Sequence, residues 1–272
     1  MTYAPDSFSQ IPSALEVGGP RYRAPALEKG LDVLELLAAH DRAMTATQIS
    51  VSLERSMSEL FRMIQVLEYR GYIEPSETGD GYELSNKLFS LAMARSPTRS
   101  LMEAALPAMR ALTAAVGQSC HLGVASGAEV VVVARVENPG CYGFSVRPGF
   151  RRSLIDSTTG AVLFAFQSQI TRQTWRDRLE SQRPAAAVEA FVARCDAIRE
   201  RGHERVRSRV AEGVVDLSAP ILAGANALAG LTIPFLHGED QRMDPDQALA
   251  LLLETAGEIS AAVNAPLPPT DI

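Results

Sequence analysis

The chain is poor in lysine, tryptophan and cysteine. Only two of its 26 Lys+Arg residues are lysines, Lys29 and Lys87, and its 272 residues include one tryptophan and three cysteines. Cys120, Cys141 and Cys195 are too few and too widely spaced for a disulfide framework or a Cys-x-x-Cys metal pair. This composition fits a reducing compartment, so we expect a cytoplasmic protein without a metal or cofactor.

Long hydrophobic runs are absent as well. The apolar stretch 130–134 ends after a few residues, whereas a membrane-spanning helix needs about 18 or more. Residues 1–25 lack the basic start and apolar stretch of a signal peptide. Hydrophobic residues at 46% and charged residues at 21% are typical of a soluble globular protein with one large domain or two ordinary ones.

Basic charge is also in short supply. The formal net charge is −6, and residues 1–95 hold nine basic and thirteen acidic side chains. This balance argues against a protein that coats nucleic acid by charge alone, but it leaves room for one localised contact surface.

Three helices are predicted near the beginning of the chain. Apolar residues recur at helical spacing over 26–39, and capping boxes at Thr45–Gln48 and Ser56–Glu59 then begin two short helices. Gly71 stands where the last of these helices ends. Two short helices, closely joined and each with its own start signal, are typical of a helix-turn-helix.

The segments that follow predict a wing and a connecting helix. Residues 72–74 and 81–84 have strand patterns around a turn, and 86–95 returns to helical spacing until Ser96-Pro97-Thr98 breaks it. We therefore predict a winged helix-turn-helix that ends near residue 85.

The rest of the chain mixes helices and strands without an internal repeat, which predicts an α+β sheet flanked by helices. Residues 130–133 are suited to a fully buried central strand. Helices are predicted at 101–116, 160–166, 170–179, 185–201 and 245–263, and strands at 120–125, 129–136, 142–146, 214–221 and 227–234.

The second short helix of the predicted motif has a polar face suited to the major groove of DNA. Arg62 is the strongest candidate for a phosphate or guanine contact, while Glu59 serves either a cytosine or the capping box. The same winged helix could instead mediate protein contacts only. The predicted DNA-binding residues are Thr47, Arg55, Ser56, Met57, Ser58, Glu59, Phe61, Arg62 and Gln65.

The order of elements and several motifs resemble the isocitrate-lyase-regulator (IclR) family of bacterial transcription factors. The segments that carry the resemblance are 26–34, 67–73 and 81–84 in the first part, and 147–149, Leu154, 158–160, 201–203 and 213–221 in the second. The resemblance implies a winged helix-turn-helix, a linker helix and a GAF-like effector-binding domain for a small organic acid. It also implies dimers or tetramers on a near-palindromic operator.

Several positions depart from that pattern. The turn 53–56 is Leu-Glu-Arg-Ser, Ile155 and Ala161 replace the usual His and Lys, and Asp216 replaces a small residue. Thr232 begins Thr-Ile-Pro where a Ser-x-Ser pair is usual. Arg205, Arg207 and Arg209 follow one another at alternate positions, where we expect a solvated loop rather than a strand face. These departures indicate that the effector is not the one bound by the family's best-known members. Aromatic acids are among the candidates.

Against this background, residues 157–161 predict an effector site. The backbone N–H groups at the start of a helix attract a carboxylate, although Ser157 or Thr158 could simply cap that helix. His121 either binds a carboxylate or phenol or is structural, and Arg147 either pairs with an acid or faces solvent. The predicted effector-binding residues are Ser119, His121, Arg147, Ser157, Thr158, Gly160, Ala161, Asp216 and Thr232.

We expect a regulator rather than an enzyme. Cys120 and His121 are adjacent in a predicted strand, so their side chains point to opposite faces and do not form a nucleophile–base pair. Cysteines and histidines lack zinc-site spacing, and no nucleotide-binding motif is present. The alternatives are a metabolite sensor that acts through a protein partner and, third, an esterase-like or deaminase-like enzyme.

The predicted division of the chain has five parts. They are an arm at 1–25, the DNA-binding domain at 26–85, a linker helix at 86–98, the effector-binding domain at 99–265 and a tail at 266–272.

Overall fold

The structure is a computed structural model in which the chain divides into two compact units, Met1–Arg95 and Ser96–Ile272. The residues described are 24–40, 42–76, 79–93, 96–138, 140, 143–238 and 242–265. The predicted arm, apart from its last two residues, and the predicted tail lie outside them. Within the described residues, no helix has the length and apolar character needed to cross a membrane.

The first unit has the predicted order of helices and wing strands, and it is a winged helix-turn-helix. Strands β1 and β2 pair antiparallel, with Ile73 opposite Leu84. The elements are α1 (Pro25–Ala38), α2 (Ala46–Ser52), α3 (Met57–Tyr69), β1 (Ile73–Pro75), β2 (Tyr82–Leu84) and α4 (Lys87–Met93).

Local signals fix the ends of these helices. The Gln48 backbone N–H donates to Thr45 Oγ1 over 3.1 Å, and the Thr45 N–H donates to Gln48 Oε1 over 2.8 Å, so the predicted capping box is confirmed. Gly71 has φ +71°, the left-handed conformation expected just after a helix. The buried core of the unit consists of Val33, Leu37, Met44, Ile49, Leu60, Ile64 and Ile73.

The second unit begins with a helix where a break was predicted. Helix α5 spans Ser96–Val116, so Ser96-Pro97-Thr98 form its first turn. Proline fits there because the first N–H groups of a helix have no intrahelical partner and its fixed φ is already helical.

A six-stranded antiparallel sheet forms the centre of the second unit, in the order β5-β4-β3-β8-β7-β6. Its strands are β3 (Cys120–Ser126), β4 (Glu129–Val136), β5 (Arg151–Ser153), β6 (Glu204–Arg207), β7 (Val214–Ala223) and β8 (Asn226–Leu236). Its further helices are a short 3₁₀ helix (Leu154–Asp156), α6 (Thr158–Ala165), α7 (Gln169–Glu180), α8 (Ala185–Arg201) and α9 (Pro245–Asn264).

Three strand predictions were wrong. Of the predicted strand 142–146, Tyr142 lies outside the described residues and 143–146 are irregular. The edge strand β5 lies further along, at Arg151–Ser153. Arg205 and Arg207 are exposed on strand β6 rather than in the predicted loop, whereas Arg209 lies after the strand has ended. Residues 130–133 do not form a central, fully buried strand, because β4 lies next to the edge and its side chains alternate between buried and half-buried.

The two faces of the sheet are covered differently. Helices α5 and α9 pack against one face with a continuous apolar layer that includes Leu122, Leu231 and Phe235. Helix α6 packs against the other face and is itself covered by α8. Gly123 and Gly230 permit this approach, because a Cβ at either position would lie within 2.8 Å of Thr159 Cγ2.

Gly160 is expected to be required by packing. A Cβ at this position would lie 2.6 Å from both Cα and O of Leu154, so Gly160→Ala must push α6 away from the 3₁₀ helix. We expect a loss of about 1–3 kcal/mol in unfolding free energy. Gly257→Ala in α9, where nothing lies within 4 Å, should instead stabilise by about 0.5–1 kcal/mol.

The measurement is denaturant unfolding followed by the fluorescence of Trp175, the single tryptophan of the chain, which is buried in the second unit. If Gly160→Ala has the same free energy of unfolding as the wild type, the close contact between α6 and Leu154 is not required for stability.

Candidate functional site

Helix α3 places most of the predicted DNA-binding side chains at the surface. Its inner face buries Leu60 and Ile64 fully, because these residues are four apart in the sequence. Ser56, Ser58, Glu59, Phe61, Arg62 and Gln65 are exposed, as is Thr47 on α2, whereas Arg55 and Met57 are half-buried.

Two of these predicted residues also attach α3 to α1. Arg55 Nη2 lies 3.0 Å from Asp32 Oδ2, and Lys29 Nζ lies 2.8 Å from Glu59 Oε1. Glu59 accepts from the Ser56 N–H and hydroxyl as well, at 3.2 and 2.9 Å. The hydrogen bond from Lys29, with those from Ser56, lowers the pKa of Glu59 to about 2. The capping role of Glu59 is therefore the one observed.

In the second unit, strand register brings polar side chains together beneath α6. His121 on β3 is opposite Thr232 on β8, and Thr232 is opposite Ser218 on β7. Thr159 of α6 reaches into this row, with its Oγ1 2.7 Å from Thr232 Oγ1 and 3.4 Å from His121 Nε2. Ser218 Oγ lies 2.8 Å from Thr232 Oγ1. We call these four residues the polar row.

His121 is neutral in this setting. Burial lowers the pKa of its imidazole to about 4, since removal from water disfavours the charged ring. Its Nδ1 is buried without a hydrogen-bond partner among the described residues.

An acidic group lies beside the first turn of α6. The Thr158 hydroxyl donates to Asp216 Oδ2 over 2.9 Å. Burial raises the pKa of Asp216, and hydrogen bonds from Thr158 and Ser208 and the positive charges of Arg152 and Arg194 oppose that rise.

Two arginines of the sheet face the same side. Arg135 is opposite His121 on β4, and its guanidinium pairs with Glu137 over 3.1 Å. The second is Arg152. It is opposite Val130, which packs in the α6 cluster, so both side chains lie on that face. Arg152 is half-buried, and its guanidinium makes no hydrogen bond or ion pair to a described side chain, although its charge lowers the pKa of Asp216.

Other predicted effector residues have structural partners. The Gly160 N–H donates to Ser157 Oγ over 3.2 Å and the Ala161 N–H to Ser157 O over 2.9 Å, so Ser157 caps α6, as the alternative interpretation held. Ser119 Oγ accepts from the Asn138 N–H. Arg147 is exposed in the segment before β5.

Comparison with known families identifies both units. The model of the IclR helix-turn-helix domain matches residues 26–77, and that of the bacterial transcriptional regulator IclR C-terminal domain matches residues 96–261. The chain belongs to the IclR family. It is accordingly a transcriptional regulator with a DNA-binding helix-turn-helix and a ligand-binding C-terminal domain.

Individual relatives agree with this membership. The chain is 28% identical over 247 residues to the HTH-type transcriptional regulator BhcR of Paracoccus denitrificans, covering 86% of each chain. It is 25% identical to KdgR of Escherichia coli, covering 87% of this chain and 91% of that one. An IclR homolog of Microbacterium hydrocarbonoxydans, solved with 4-hydroxybenzoate, has the same fold, with 20% identity, a TM-score of 0.73, and coverage of 89% of this chain and 100% of that one.

IclR-family membership confirms the expectation of a regulator rather than an enzyme. The structure also separates Cys120 from His121 as a nucleophile–base pair. Cys120 Sγ lies 3.3 Å from Thr113 Oγ1 on α5, whereas His121 contacts α6. The two side chains are on opposite sides of the sheet.

Thr159, Ser218 and Arg152 were missed by the sequence analysis. Thr159 entered the sequence analysis only as part of the motif 158–160. Ser218 and Arg152 are placed on the face that α6 covers only by the strand register. Alternation along β7 was the one available signal, because Ser218 is two residues after Asp216 and therefore shares its face.

The neutral state of His121 predicts a dependence of stability on pH. The unfolded chain binds a proton with pKa near 6.5 and the folded chain only near 4, so stability is lost as the pH falls through this window. Between pH 7 and pH 5 we expect the wild type to lose about 2 kcal/mol more than His121→Phe.

Urea unfolding followed by Trp175 fluorescence at both pH values measures this difference. Equal losses in the two proteins would contradict a buried neutral imidazole. The matched control is His203→Phe, because the His203 ring is only partly buried. This variant should lose as much stability between the two pH values as the wild type does.

Proposed function

We propose that the protein binds a near-palindromic operator as a homodimer or homotetramer in the cytoplasm, and that a small organic acid bound in its second unit changes this binding. The observation that carries the proposal is the exposed polar face of α3 within an IclR-family chain. A sensor that acts only through a protein partner is not favoured, since the relatives are DNA-binding regulators by name.

The DNA contact is proposed for the predicted residues of the first unit other than Glu59, which caps α3, with this helix in the major groove. The exposed side chains Phe61, Arg62 and Gln65 follow one turn of α3, and Ser56 and Ser58 stand at its N-terminus. Phosphates favour such a helix start, because its free N–H groups and dipole attract anions. Two recognition helices related by a dimer axis would read two half-sites.

A salt-titrated binding assay tests the proposal. The purified protein is titrated onto the intergenic DNA beside its own coding region, at increasing salt. Saturable binding of two or more subunits that weakens steeply with salt is expected for phosphate contacts. No binding at low salt, with or without organic acids, would contradict an operator-binding function.

Arg62→Ala should weaken operator binding by about 1–3 kcal/mol, because Arg62 is exposed on α3 and suited to a base or phosphate. The control is Arg110→Ala, which removes an exposed arginine from α5 in the second unit. Both are measured by gel shift or anisotropy at one salt concentration. Equal affinities of the two variants would remove Arg62 from the contact.

The effector site is proposed beside the first turn of α6. We assign ligand contacts to His121, Thr158, Asp216 and Thr232 from the predicted set, and to Arg152 in addition. Ser119, Ser157, Gly160 and Ala161 would shape the site, and Arg147 would border it. The guanidinium of Arg152, half-buried on the face that α6 covers, suits a carboxylate. A 4-hydroxybenzoate complex of a protein with this fold makes aromatic acids natural first probes.

Arg152→Gln should weaken binding of organic acids, because it removes the cation proposed to face the carboxylate. Arg151→Gln is the matched control, since this neighbour is exposed, pairs with Glu129 and lies on the opposite side of the strand. Thermal shifts with 4-hydroxybenzoate, benzoate, lactate and pyruvate measure the effect. Loss of about tenfold or more in affinity is expected for Arg152→Gln alone. A parallel loss in Arg151→Gln would point to a general charge effect.

A further inference from the structure

The polar row is a continuous chain of hydrogen-bonding groups with two possible polarities. If His121 carries its proton on Nδ1, then Nε2 accepts from Thr159 and the hydroxyls of Thr232 and Ser218 donate toward the ring in turn. If the proton is on Nε2, every donor in the chain reverses. The tautomer of His121 therefore sets the direction of all three hydroxyls.

The chain ends at an atom that the described residues leave unsatisfied. In the first polarity Nδ1 is a buried N–H without an acceptor, and in the second it is a buried lone pair without a donor. A buried polar atom without a partner costs free energy that a ligand group at hydrogen-bond distance would recover. Only 6% of the His121 surface is exposed, so water does not readily replace the missing partner.

A hydroxyl is the group that suits Nδ1 in either polarity, because it both donates and accepts. A carboxylate suits it less well, since an ionised carboxylate only accepts and so fits only the tautomer that carries its proton on Nδ1. Arg135 on β4 is opposite His121, but its guanidinium pairs with Glu137 over 3.1 Å. Arg152 lowers the pKa of Asp216. Both arginines of this face therefore have acidic neighbours, and the polar row itself suits a neutral polar group.

We infer that His121 determines the specificity of the effector site and takes the alcoholic or phenolic hydroxyl of a hydroxy acid. Thr159 acts as a positioning residue, because its hydroxyl holds Nε2 and so directs Nδ1 to the ligand. This inference rests on the proposed function, since it names the class of ligand for the same site.

Matched acids test the inference on the full chain. The probes are 4-hydroxybenzoate against benzoate and lactate against propionate, and their dissociation constants are measured by calorimetry. In the wild type, the hydroxylated member of at least one pair should bind about tenfold or more tightly than its partner. In His121→Phe the ratio for that pair should fall to about one, while His203→Phe, a control outside the site, should keep it.

Thr159→Val provides a second variant in case His121→Phe fails to fold. Valine keeps the methyl group that packs against Gly123 and Gly230 and removes only the hydroxyl, so the ratio should decrease in this variant too. In ¹⁵N-histidine spectra, the chain has four histidines, and only the His121 nitrogens should shift on adding the hydroxy acid. A shift produced equally by the acid without the hydroxyl would overturn the inference.

The outcomes separate this inference from the proposed function. If both members of each pair bind equally tightly and both cause the protein to release the operator, the role of His121 is contradicted while the proposed effector site is supported. If discrimination survives in His121→Phe, another residue determines specificity. If no acid of either pair binds, the inference is overturned, and operator binding in the salt titration decides the proposed function independently.

Discussion

The close approach of α6 to the sheet is the constraint on which the second unit depends. It is possible only because Gly123 and Gly230 carry no side chains where Thr159 meets the strands, and because Gly160 lets α6 meet the backbone of Leu154. This contact places a threonine hydroxyl between His121 and Thr232, so one face of the sheet becomes polar at its centre. The opposite face stays apolar and carries α5 and α9.

This asymmetry gives the two faces different tasks. The apolar face supplies burial, which is the dominant favourable contribution to folding. The polar face stabilises less, since hydrogen bonds in the folded chain replace hydrogen bonds to water. A neutral imidazole, a half-buried carboxyl at Asp216 and a guanidinium at Arg152 lie on this face, which is where we propose that the ligand binds.

In the first unit, charge has a local rather than a general role. Ion pairs of Arg55 with Asp32 and of Lys29 with Glu59 use two basic groups within the protein itself. Exposed pairs of this kind contribute about 0–1 kcal/mol each, so their larger effect is to orient α3 against α1. The outward face of α3, which carries Arg62, stays exposed for the DNA contact that we propose, despite the net charge of −6.

The sequence by itself determined the elements whose signals are local. Thr45 with Gln48 and Ser56 with Glu59 begin helices because each box satisfies first-turn groups within four residues. The alternation of Cys120 and His121 likewise follows from the pleat of one strand. The motifs shared with the IclR family predicted in addition that the chain has a DNA-binding part and an effector-binding part.

Only the tertiary structure decided what depends on distant partners. The edge strand β5 forms at Arg151–Ser153 because β4 offers it a hydrogen-bonding edge, which no pattern within the segment reveals. The polar row joins residues up to 111 positions apart through strand register. The Ser157 hydroxyl caps a helix only because α6 begins at Thr158. Pairing across a sheet is set by the whole fold, whereas helix ends are set by neighbours in the chain.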